Sequence, residues 1–115
     1  MENRKKYRAV FFYKDYFNDF YKIQRIKVKN KILWTLRILE ILPIVPESYL
    51  KRIEGTDGLY EIRIQQGGDI FRIFSFFDYG QLVVLANGFQ KKTKKTPKSE
   101  IDKALKIKSE YEQGK

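Results

Sequence analysis

The chain has neither cysteine nor histidine among its 115 residues. Without cysteine there is no disulfide framework, no thiol nucleophile and no thiolate-bound zinc. Without histidine the commonest general base, the commonest zinc ligand and every Ser–His arrangement are gone. Any chemistry must come from Asp, Glu, Lys, Arg, Tyr, Ser or Thr, and no metal or other cofactor is expected. The most apolar stretch, Ile32 to Val45, is interrupted by Arg37, Glu40 and Pro43, so it cannot span a bilayer. Met1 to Lys6 are polar and charged, without the apolar centre of a signal sequence. A cytoplasmic location with no membrane partner is expected.

What is present is rich in rings and positive charge. Hydrophobic residues make up 43% and aromatics 16%, with nine Phe and eight Tyr, far above what a disordered chain carries. The length suits one domain with one core, residues 1–115. Twenty-four Lys and Arg oppose fourteen Asp and Glu, a net charge of +10. A bias of this size bears on partners: nucleic acid, an anionic membrane or an acidic protein.

Tyr7 to Tyr13 (YRAVFFY) reads as a strand. From Asp15, a plausible cap, the period changes, with Phe17, Phe20, Tyr21 and Gln24 at helical spacing. A longer helix is expected from about Arg25 to Leu42. Its stripe is Ile32, Leu36 and Leu39, with Leu33 and Leu42 beside it, and Pro43 stops it. The two helices suggest a hairpin packed on one face of a sheet. After a connector at Ile44 to Glu47, three strand runs follow: Ser48 to Ile53 continued in Leu59 to Gln65, Ile70 to Phe77, and Leu82 to Asn87. Thr56-Asp57-Gly58, Gly67-Gly68-Asp69 and Asp78-Tyr79-Gly80 are the turn signals between them. A last helix starts near Pro97, with Thr96 as N-cap, and lines Ile101, Ala104, Leu105, Lys108 and Tyr111 on one face. The order β-α-α-β-β-β-α, with no repeat and no linker, is that of an α+β domain with a largely antiparallel sheet.

Strand alternation places Tyr60, Ile62 and Ile64 on one face, most simply the core, and Glu61 and Arg63 on the other. Arg72 shares a side with Phe74 and Phe76. Putting Arg72 beside Arg63 on an open face gives two guanidiniums, one carboxylate and exposed rings, a surface able to hold phosphate and stack bases. The plain alternative is a solvated strand face on which Glu61 pairs with an arginine. In QKKTKKTPK, Gln90 to Lys98, five cations (Lys91, Lys92, Lys94, Lys95 and Lys98) crowd the start of the last helix. That end of a helix favours anions, so the lysines point to phosphate, the alternative being a solvated charge run. A second basic block, Lys22, Arg25, Lys27, Lys29, Lys31 and Arg37, has no acidic residue within it. It suits ribosomal RNA, an acidic protein or simply the outer face of an amphipathic helix.

Four segments, KNKILWTLRILEILPIVP, IEGTDGLYEIRIQQGGDIFRIFSFF, VVLANGFQKKTKKTPKSEI and KALKIKSEY, cover nearly the whole chain. Taken in this order, they resemble the phage-derived HigB-like branch of the RelE/ParE superfamily of toxins. The resemblance implies a RelE-like fold and the toxin of a type II toxin–antitoxin pair. Its partners would be a cognate antitoxin of helix-turn-helix kind, the ribosome and mRNA. It further implies an endoribonuclease acting in the ribosomal A site, where the 2′-OH attacks the adjacent phosphate and leaves a 2′,3′-cyclic end. Arg63 and Arg72 match the basic positions of the central strands and would hold the scissile phosphate. Lys91, Lys92, Lys94 and Lys95 match the basic segment after the last strand and would grip RNA backbones. The chain departs from the pattern at Glu61, where RelE carries a lysine; Glu61 is then a candidate general base. The C-terminal tyrosine of RelE-type sites has no clear counterpart, and Tyr111 is expected in the core. ParE-like relatives share the fold and inhibit DNA gyrase without cleaving RNA, and a catalytically silent RNA-binding protein is a third possibility.

Overall fold

A computed structural model describes residues 5–115, so the first four residues of the charged N-terminal segment lie outside the described part. The elements are β1 (Ala9–Phe12), α1 (Tyr16–Tyr21), α2 (Ile26–Ile41), β2 (Leu50–Arg52), β3 (Tyr60–Gln66), β4 (Asp69–Asp78), β5 (Leu82–Lys91) and α3 (Lys98–Gln113). The α+β class is the one expected, and the strands form one sheet in the order β1-β5-β4-β3-β2. Only β1 runs parallel to its neighbour, β5; the other pairings are antiparallel.

The strand count differs from expectation. The run from Ser48 to Ile53 and its continuation from Leu59 are separate strands, β2 and β3, paired antiparallel with Leu50 opposite Ile62. Gly55 and Gly58 stand at φ +76° and +72° between them. Those conformations are costly for other residues and reverse the chain at the Thr56-Asp57-Gly58 turn, so the run counted as one strand with a continuation is two. The order is therefore β-α-α-β-β-β-β-α. A smaller correction concerns α3, whose N-cap is Pro97 rather than Thr96, with no side-chain cap bond. Asp15 is the N-cap of α1, but only its backbone carbonyl bonds, to the Asp19 N–H.

Both faces of the sheet are covered, by different layers. On one, Phe17 and Phe20 of α1 and Val28, Ile32, Leu36 and Leu39 of α2 pack on Ile62, Ile64, Phe71, Ile73, Val83 and Leu85. This is the expected helix stripe on the expected strand face, while Leu33 of α2 stays largely exposed. The close seat of α1 on β5 depends on Gly88: a Cβ there would lie 2.5 Å from the Phe20 ring. On the other face α3 lays Ala104 and Ile107, with Ile101, Leu105 and Tyr111 beside them, over Phe74, Phe76, Val84 and Ala86. Phe74 and Phe76 were expected as exposed rings beside Arg72; they are fully buried under α3.

A bulge in β5 sets where that cover ends. Ile73 pairs with Gly88 but Ser75 with Leu85, so Ala86 and Asn87 together oppose Phe74. Ala86 packs with the α3 cluster, and Asn87 Nδ2 donates to Glu100 Oε1 (3.0 Å) and to the Glu100 carbonyl (3.3 Å). The first turn of α3 is thereby anchored at the bulge. Its last turn is anchored at the far end of β4, where Tyr111 Oη donates to Asp78 Oδ2 at 2.7 Å. Lys115 pairs with the same carboxylate, and Lys14 and Tyr16 bind Glu110. Tyr111 packs edge-on against Phe76, as a core residue should.

Candidate nucleic-acid interface

Beyond the first turn of α3 the same sheet face continues uncovered, and the charged residues lie there. The register puts Arg63 of β3 directly opposite Arg72 of β4, and Arg72 opposite Phe89 of β5. One row along, Lys51 of β2 stands opposite Glu61, and Glu61 opposite Phe74. The arginines and the carboxylate singled out by alternation are thus neighbours. Glu61 Oε2 lies 3.3 Å from Arg63 Nε and 3.6 Å from Arg72 Nε.

Arg72 is not on an open face in the sense expected. It is 6% exposed, and Glu61 is 8% exposed. The Arg72 guanidinium is buried along with its stem, the side chain being 8% exposed. Burial lowers the proton affinity of its guanidinium, the carboxylate of Glu61 raises it and Arg63 lowers it again. An arginine starts so high that it stays charged throughout. Arg72 Nη1 donates to the Phe71 carbonyl (3.1 Å), while its buried Nε has no hydrogen-bond partner among the described residues. That Nε faces the Glu61 carboxylate at 3.6 Å, an ion pair without a hydrogen bond. Two cations face one carboxylate here, so the cluster carries an uncompensated positive charge.

Three clefts lie on or beside this cluster. A pocket of about 220 Å³ is lined by Arg63 and Arg72 with Ser48, Gln65 and Ile70. A larger one, about 600 Å³, shares Ile70 and is lined by Gly68, Asp69 and the segment from Gln90 to Lys94. Glu61 lines a third, about 390 Å³, with Lys51, Arg52 and Thr96. The five expected lysines therefore do not act as one set. Lys91, Lys92 and Lys94 face the same cleft. Lys95 is exposed outside it, with its carbonyl bound by Thr93 Oγ1 (2.7 Å). Lys98 reaches along α3 to Asp102 at 2.9 Å.

Alternation did not reveal Lys51 or Phe89. Lys51 lies in the Ser48–Ile53 run, whose antiparallel pairing with β3 alternation does not give. Phe89 owes its side to the bulge: by strict alternation from Leu85 it would face α2, and the extra residue turns it, half-buried, towards Arg72 and to 5.5 Å from the Phe74 ring. The second basic block is partly paired, Lys22 with Asp19, Arg25 with Asp69 (3.1 Å) and Arg37 with Glu40. Tyr111 lies at the other end of β4, six residues from Arg72 and so about 20 Å along the strand. Among the described residues no group of three or more carboxylates could hold a metal ion, and no helix is long and apolar enough to cross a membrane.

Comparison with protein families gives a match to the model described as phage derived protein Gp49-like (DUF891), over residues 15–109. That span takes in both N-terminal helices, the arginine pair, the lysine segment and most of α3. A search of curated proteins gives no match.

Proposed function

We propose that this chain, which belongs to the phage-derived Gp49-like family and so to the RelE/ParE-like toxin superfamily, is a HigB-like toxin that cuts translated mRNA on the ribosome. An antitoxin made beside it would hold it in check. The observation that carries the proposal is the arginine pair: Arg72 and Arg63 stand opposite each other with one carboxylate between them, on a cleft that adjoins a lysine-lined one. A phosphodiester supplies what this cluster lacks, namely negative charge and acceptor oxygens in a bidentate geometry.

In the reaction the 2′-oxygen of one nucleotide forms a bond to the adjacent phosphorus as the bond from phosphorus to the 5′-oxygen breaks. The products are a 2′,3′-cyclic phosphate and a 5′-hydroxyl, the departing 5′-oxygen taking its proton from water. Negative charge builds on the non-bridging oxygens, and Arg72 and Arg63, already fixed before substrate arrives, stabilise it there. Of the three clustered side chains only Glu61 offers an oxygen that can accept the 2′-OH proton, because the guanidiniums stay protonated. Phe89 offers a ring beside the arginines against which a splayed base can stack. Lys91, Lys92 and Lys94 take the neighbouring backbone phosphates.

Primer extension on an mRNA under translation tests this. Stops spaced by codons that appear only with both protein and ribosomes are expected. Gyrase-linked DNA breaks without RNA cuts would assign the chain to the ParE-like mode instead. Ribosome binding without cuts would make it a silent binder. Glu61→Gln should lower the cleavage rate with little change in ribosome affinity; equal rates would remove Glu61 from proton transfer.

A further inference from the structure

A second basic cleft lies on α2, away from the arginine pair. It has a volume of about 450 Å³ and is lined by Lys27, Asn30, Lys31, Trp34 and Gln66. Trp34 is the one tryptophan of the chain, and it is 45% exposed. Its ring is held edge-to-face against Tyr49 at 5.6 Å, and the Lys31 ammonium lies 4.7 Å from its centroid. A large ring kept rigid and half in water, with cations around it, is unusual for a residue serving only the core. The core stripe of α2 is Val28, Ile32, Leu36 and Leu39, on a different side of the helix.

We propose that this cleft binds an unpaired nucleotide, its base stacked on Trp34 and its phosphate held by Lys27 and Lys31. The charge decides between candidate ligands: no acidic residue occurs from Lys22 to Arg37, and the cleft contains two lysines and no carboxylate. A base entering the cleft replaces the Lys31 ammonium on the indole, and that ammonium then meets the nucleotide's own phosphate, so cation–π stabilisation is exchanged for stacking plus an ion pair. The cleft also adjoins the lysine cleft of the sheet. Gln66 lines the first and Gly68 and Asp69 line the second, on either side of the β3–β4 turn. Arg25 at the start of α2 is tied to that turn through Asp69 at 3.1 Å. A strand of RNA held at the arginines can thus continue over the turn onto α2, and an RNA contact remote from the cleaved bond becomes part of how substrate is held. The proposal rests on the RNA-binding side of the function given above, but not on cleavage.

Trp34 is its own reporter. Titrating the full chain with a hexamer of adenylates should quench the tryptophan emission, and inorganic polyphosphate or polyglutamate at matched charge should not. Replacing Lys27 and Lys31 by alanine should weaken binding roughly tenfold. Trp34→Ala should weaken it by a similar factor, read by anisotropy of a labelled hexamer, with Trp34→Phe recovering most of the loss. Lys106→Ala, which removes an exposed lysine of α3 outside this cleft, should leave the quenching unchanged, which separates the cleft from a general effect of net charge. Absent quenching, equal quenching by either base-free polyanion, or wild-type hexamer affinity in Trp34→Ala would each overturn the proposal.

Discussion

Strands β3, β4 and β5 carry two kinds of surface on one face, divided by the first turn of α3. Towards Asp78 the face is Phe74, Phe76, Val84 and Ala86, all buried beneath the helix. Towards the β3–β4 turn it is Glu61, Arg63, Arg72 and Phe89, with the lysines at its margin. The covered half is held by ordinary apolar burial, and its helix is fixed at both ends by polar anchors, Asn87–Glu100 and Tyr111–Asp78. In the other half two cations share one carboxylate, an excess of positive charge that suits an anion. The helix shields one half and leaves the other for chemistry, and side-chain direction alone does not say which is which.

Substitutions should separate the halves, the largest effect first. Phe74→Ala removes a fully buried ring from the covered half and should cost about 3–5 kcal/mol. That is enough to unfold much of a small domain, and chemical denaturation would measure it; a loss below about 1 kcal/mol would mean that α3 covers the face loosely. Arg72→Ala belongs to the other half. It should lower cleavage by about 10²–10³-fold in a protein that still folds, with a thermal shift smaller than that of Phe74→Ala. Arg72→Lys should recover little, because an ammonium cannot make the paired contact. A stable and fully active Arg72→Ala protein would remove that residue from the site.

The lysine segment should give a smaller and graded effect. Joint replacement of Lys91, Lys92 and Lys94 should flatten the salt dependence of RNA binding by about 0.7 in the log–log slope for each phosphate no longer neutralised. Adding Lys95 to the set should change it little, since Lys95 lies outside the cleft. An unchanged slope in the triple variant would leave the run as a solvated loop.

The smallest effect is on pH-dependent stability, and it should sit in the covered half. The hydrogen bond from Tyr111, then that from Lys115, holds the Asp78 carboxyl below its ordinary range, and Lys14 and then Tyr16 do the same for Glu110. Both groups have depressed folded-state values, so their contribution is present above the ordinary carboxylate pKa of about 4. It is lost as pH falls through the depressed values. The hydrogen bond to Asp78 pushes the Tyr111 hydroxyl up to about 12, so its contribution is present below about 10 and lost as pH rises through the raised value. Asp78→Asn should flatten the acid side of a Tm–pH profile and Tyr111→Phe the alkaline side; unchanged limbs would show that these anchors do not couple to folding.

Most of this arrangement can be read from the sequence, for identifiable reasons. The period change at Asp15, the Ile32–Leu36–Leu39 stripe, Pro43 and the Gly67-Gly68 turn each leave a local mark, and α1, α2 and the β3–β4 hairpin fall where those marks put them. Alternation correctly paired Glu61 with Arg63 and set Ile62 and Ile64 inward. Two things escaped it. The Thr56-Asp57-Gly58 turn is marked in the sequence, but not that it folds the run back as two paired strands, with Gly55 as well as Gly58 at positive φ. The bulge at Ala86 and Asn87 shifts the parity of everything after it, so Phe89 could not be placed. The burial of Phe74 and Phe76 is a tertiary fact: whether a ring on the second face of a sheet meets water depends on a helix more than twenty residues away.

The most direct test is to map transcript ends after brief induction of the wild-type chain and of Arg72→Ala at equal levels. The account predicts new ends within translated regions, spaced by codons, for the wild type, and none for the variant. Identical ends from both, or growth arrest by the wild type with no new ends, would contradict it.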